Sequence, residues 1–71
     1  MEWHESMDGQ KFSLTDGSCM AVVTRDAGQV WVAQLARMGV AVEHDSFDVL
    51  TDAQAWCLTR LDELRAEGQC I

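Results

Sequence analysis

The stretch LTDAQAWCLTRLDELRAEG, residues 50–68, constrains this chain more than any other. It predicts the one long helix, over residues 51–67. Thr51 stands where an N-cap belongs and Gln54 follows three residues later, the spacing of a capping box. Asp52 places a negative charge in the first turn, where the helix dipole favours it. Arg65 in the last turn and Gly68 just beyond mark the stop. Between these marks Ala53, Cys57, Leu61 and Leu64 fall within about 80° of arc at roughly 100° per residue. Trp56 and Leu58 border that stripe, and Ala55, Thr59, Asp62, Glu63 and Ala66 fall opposite. Arg60, four residues beyond Trp56, is expected to lay its stem along the ring. A lone helix of this length is marginal in water, so the preceding fifty residues must cover its apolar stripe.

Those residues read as short strands. Turn signals at Asp8-Gly9, Asp16-Gly17, Asp26–Gln29 and Arg37–Gly39 separate β-rich runs at 3–6, 11–14, 19–25, 30–36 and 40–44. The connections are of hairpin length and no βαβ alternation occurs, which excludes a parallel sheet. The expectation is an α+β fold: an antiparallel meander of about four strands with one C-terminal helix packed on one face, ββββα. Seventy-one residues make a single domain, 1–71. The chain begins at Met1, and a complete small protein is expected.

Alternation then divides the sheet. The core face is assigned Phe12, Leu14, Met20, Val22, Trp31, Leu35, Val40 and Val42, with Phe47 tucked under the helix from a loop over 45–49. The other face receives Ala21, Val23, Val30, Val32 and Ala41, which is apolar for a surface. Such an uncovered face implies a partner or a second copy, and those five residues form the candidate interaction face.

Charge narrows the partners. Twelve acidic residues against five basic ones give a net charge of −7. This opposes non-specific nucleic-acid binding, which needs Lys and Arg to neutralise phosphates, and docking on anionic membranes. Cys19, Cys57 and Cys70 are odd in number and show no C-x-x-C spacing, so neither a disulfide framework nor a zinc site is expected. Without a signal peptide or a long apolar run, the sequence points to the cytoplasm.

No catalytic set emerges. Cys57 lies on the core stripe, where burial makes a thiol inert. Cys70 stands next to the C-terminus, and His4 between Glu2 and Glu5 reads as a surface histidine. His44, Asp45, Asp48 and Asp52 offer cation ligands at close spacing, but they match no EF-hand pattern and read first as a solvated loop. Nucleotide-binding glycine motifs and the G-x-S-x-G elbow are absent. No cofactor and no metal is expected.

The order Trp31-Val32-Ala33, a short strand, then Phe47, Ala53 and Trp56 resembles small stand-alone bacterial and phage proteins that end in a strand, a capped turn and an A-x-x-W helix. The same layout is similar to the sheet-plus-helix DNA-binding modules of AP2 domains and phage-integrase N-terminal domains, which read DNA with a basic sheet face. Here Lys11 and Arg25 are the strand cations, with Arg37 in a turn. The functional expectation is therefore a small acidic, non-enzymatic protein-interaction module of bacterial or phage origin, acting through the exposed sheet face or by dimerising. The alternatives are an acidic nucleic-acid mimic of the anti-restriction or anti-CRISPR kind and a nucleic-acid-binding module.

Overall fold

A computed structural model describes residues 3–69; Glu2 and Cys70, named above, lie outside them. The element order is β1 (His4–Glu5), β2 (Lys11–Asp16), β3 (Cys19–Arg25), β4 (Trp31–Arg37), β5 (Val40–Phe47) and α1 (Leu50–Ala66). The strands form one antiparallel sheet in sequential order, β1-β2-β3-β4-β5. The helix lies across β3, β4 and β5. The fold is the expected α+β meander with a C-terminal helix, widened by a short first strand.

Two-residue turns set which residues share a face. Gly17-Ser18 joins β2 to β3 and pairs Asp16 with Cys19, Leu14 with Ala21 and Phe12 with Val23. Directly opposite residues project to one side, so once Leu14 faces the core, Ala21 and Val23 must follow. They are fully buried, together with Cys19, Ala33 and Leu35. This corrects two assignments: Ala21 and Val23 belong to the core, while Met20 and Val22 take the other side. The run CMAVVTR is apolar in both phases, so alternation alone does not choose between them; the turn does.

In β5 the alternation breaks. Arg37 pairs with Val40 and Ala36 with Ala41, but Leu35 pairs with Glu43, leaving Val42 as an extra residue at a register shift. Such a bulge inverts the phase of everything beyond it. Val42, the extra residue, is exposed rather than core, and Glu43, Asp45 and Phe47 take the helix side opposite Leu35, Ala33 and Trp31. Val40 precedes the bulge and keeps the expected side, in line with Arg37 and Cys19, but it lies exposed beside the hairpin turn and is not core either. The strand also runs on to Phe47, where the sequence suggested a loop.

The helix buries Ala53, Cys57, Leu61 and Leu64, the expected stripe. Its start differs: Val49 is the cap, no side chain caps it, and Thr51 lies inside the first turn. Leu50 packs against the core cluster and brings the helix in one residue early, so the Thr51–Gln54 capping box does not form. The end follows the Schellman pattern. Gly68 has φ 77°, Gly68 N donates to Arg65 O at 3.0 Å, and Gln69 N donates to Leu64 O at 2.9 Å. Fully buried Ala21, Ala33 and Ala53 leave little side-chain bulk between helix and sheet.

Candidate interaction face

The side of the sheet away from the helix is a continuous surface, built in three cross-strand rows. The central row is His4, Ser13, Val22, Gln34 and His44. One flanking row is Lys11, Thr24, Val32 and Ser46; the other is Thr15, Met20, Ala36 and Ala41. Met20, Val22, Val32, Ala36 and Ala41 lie across β3, β4 and β5 around exposed Gln34 at the middle of the face, with hydroxyls and two imidazoles among and beyond them.

Of the five residues expected here, Val32 and Ala41 stand on this face, and half-buried Val30 closes the β3–β4 hairpin beside it. Ala21 and Val23 do not. The phase argument from the Gly17-Ser18 turn would have found Met20 and Val22 in their place. Ala41 keeps the phase of simple alternation because it precedes the bulge.

The charges are segregated. No carboxylate of the described strands stands on the open face, and Lys11 is its one Lys or Arg side chain. Glu5, Asp16, Glu43 and Asp45 point to the helix side of the sheet. Asp8 and Asp26 are in turns, Asp48 is in the β5–α1 connection, and Asp52, Asp62 and Glu63 ride on the helix, with Glu67 at its end. Four of the five basic residues pair on that same side. Arg60 forks onto Glu43, with Nε donating to Oε1 at 2.9 Å and Nη2 to Oε2 at 2.5 Å, and also pairs with Glu63. The hydrogen bonds that Arg60 donates to Glu43, above all, and the negative charge of that carboxylate hold the guanidinium protonated more firmly than usual. Arg65 reaches Asp16 at 2.8 Å and Asp62 at 3.1 Å. Arg37 donates to the Gln69 side chain at 2.8 Å. Arg25 lies 5.8 Å above the Trp31 ring, a cation–π arrangement.

Other candidates resolve as follows. His44 and Asp45 point to opposite faces of β5, and among the described residues no three His, Cys, Asp or Glu side chains converge as a metal site would need. The described surface has no pocket. Trp31 packs tilted against Phe12 with ring centroids 6.0 Å apart and Trp56 against Phe47 at 5.9 Å, all half-buried against the core. Cys57 is a buried free thiol whose pKa desolvation pushes up to about 11. Cys19, in contrast, is disulfide-bonded. That corrects the expectation of unpaired cysteines: an odd count hides one pair as readily as none. Among the described residues no helix is long and apolar enough to cross a membrane.

Comparison with known protein families, curated proteins and solved structures finds no match. The functional reading therefore rests on the open face itself.

Proposed function

We propose that this chain is a non-enzymatic interaction module that docks a protein through the open face of its sheet. The observation that carries the reading is the segregation of charge. A chain of net charge −7 keeps every described strand carboxylate off one face and sets apolar side chains around Gln34 at its middle. Partly apolar patches rimmed by polar groups are the usual composition of a non-obligate interface. Small bacterial and phage proteins of this layout are the source it resembles. The cytoplasmic location expected from the sequence rested in part on unpaired cysteines, and the disulfide at Cys19 removes that support.

Affinity capture from a lysate of the source organism tests the reading. Wild-type chain and a Thr59→Glu control on the exposed side of the helix should recover the same partner, and Gln34→Glu should lose it. Equal recovery by all three would refute docking through this face.

The same segregation favours a second reading, the acidic mimic of nucleic acid, because such a mimic needs its carboxylates on one side. Asp45, Asp48 and Asp52 would then form part of the mimicking surface. Charge reversal at Asp48 and Asp52 should abolish competition with duplex DNA for a DNA-binding protein, and Gln34→Glu should not.

A further inference from the structure

We infer that the occupant of the open face is a second copy of this chain, packed sheet against sheet about a twofold axis; this rests on the open-face reading above. Electrostatics selects the occupant. A cationic partner finds no carboxylate on the face and is drawn instead to the helix side. An anionic partner meets one lysine, Lys11, and a net charge of −7. What the face fits is another surface that is nearly uncharged, with apolar side chains set around a hydrogen-bonding centre, and the chain carries such a surface itself. Stacking two copies on it turns every described strand and helix carboxylate outward.

Geometry is compatible with the pairing. Facing sheets pack about 10 Å apart, a spacing that Met20, Val22, Val32 and Ala36 can fill. Gln34, exposed in the central row, carries both donors and an acceptor and can pair with its symmetry mate. Five strands about 4.8 Å apart and roughly six residues long give a footprint of about 500 Å² per copy. The pair buries about 1,000 Å² in total, the low end for a specific interface. The dimer is accordingly weak and concentration-dependent.

Sedimentation equilibrium on the full chain, from about 10 μM to 1 mM, decides the matter. The mass should rise from 7.9 kDa toward twice that value. Two copies of like net charge repel, so dimerisation should strengthen several-fold between about 50 and 500 mM salt as screening grows. Gln34→Glu brings two carboxylates together at the axis and should weaken the dimer at least about tenfold. Val22→Lys, which adds the opposite charge, should do the same, and Thr59→Glu should leave it unchanged. Amide spectra check that each variant is folded. Concentration-dependent shifts should follow the Ser13, Val22, Gln34 and His44 row. A monomer at 1 mM in both salts overturns the inference, as does a dimer indifferent to both face variants. Retention of duplex DNA at low salt by a monomeric chain would give the face to a polyanion instead. If the chain stays monomeric while affinity capture still depends on Gln34, only the self-pairing fails and the open-face reading stands.

Discussion

Met38 adopts φ 54° and Gly39 φ 83° in the two-residue turn between β4 and β5. Positive φ at both positions is the type I′ geometry that suits a hairpin, and it favours Asn-Gly. A methionine there is strained, and its side chain is exposed without compensating burial. Met38→Asn should therefore raise stability by about 1 kcal/mol, read as a higher denaturant midpoint at unchanged slope; a loss of stability would refute the strain. Asp8 gives a second check. Its carboxylate accepts from Ser6 Oγ at 2.6 Å and from Gln10 N at 3.0 Å, and these bonds, Ser6 first, hold its pKa below the ordinary value. The folded form thus prefers the charged state. Its contribution is complete above the ordinary carboxylate pKa and disappears as pH falls through the lower folded value. In an NMR titration Asp8 should be charged below pH 3.8, and Ser6→Ala should move it back up. The turn positions were legible as dipeptides; the strain at Met38 was not, because nothing in its side chain signals a left-handed backbone.

At the scale of elements, the helix was the most legible part of the chain because one period governs it throughout. Leu61 is 1% exposed beneath it, and Leu58, on its border, is 38% exposed. Leu61→Ala should cost about 2–4 kcal/mol by transfer and cavity terms. Leu58→Ala should cost under about 1 kcal/mol, and thermal melts of the pair would show whether the stripe is placed correctly. The strands were half legible. Their positions follow from turn residues, but their faces depend on turn length and on the single extra residue Val42. Nothing in the sequence VAVEHDSF announces a bulge, although Glu43 is the consequence that matters. The shift turns it toward Arg60, where a regular strand would have placed Val42. A double-mutant cycle on Glu43→Gln and Arg60→Gln should return a measurable favourable coupling, because the contact is bidentate. Zero coupling would mean that the phase of β5 has been misread. The candidate face shared this fate: Val32 and Ala41 were placed by simple alternation, whereas Met20 and Val22 required the register.

For the whole molecule the issue is how so small a core holds together. A chain of 71 residues buries only about 60% of its unfolded surface, and among the described residues three of the ten buried hydrophobics are alanines. The C-terminal end supplies extra ties. Beyond the Schellman turn, Ser18 Oγ donates to the Gln69 carbonyl at 3.3 Å, that oxygen lies 3.9 Å from Cys19 Sγ, and Arg37 holds the Gln69 side chain. These contacts draw the segment after the helix back to the β2–β3 turn, beside the disulfide-bonded Cys19. A covalent link there restricts the unfolded chain, and its loss in a small domain typically costs about 2–5 kcal/mol. Reductant should therefore lower the melting temperature by at least about 10 °C, given how steeply a domain of this size responds to each kcal/mol. Under denaturing, non-reducing conditions Cys57 should be the alkylated thiol and Cys19 should appear in a disulfide-linked peptide. In the native state Cys57 should resist alkylation at pH 8, since burial keeps it a neutral thiol. A melting temperature indifferent to reductant would show that the hydrogen bonds to Gln69 and the helix stripe hold the fold unaided. The sheet would then keep its open face in a reducing compartment as well as in an oxidising one.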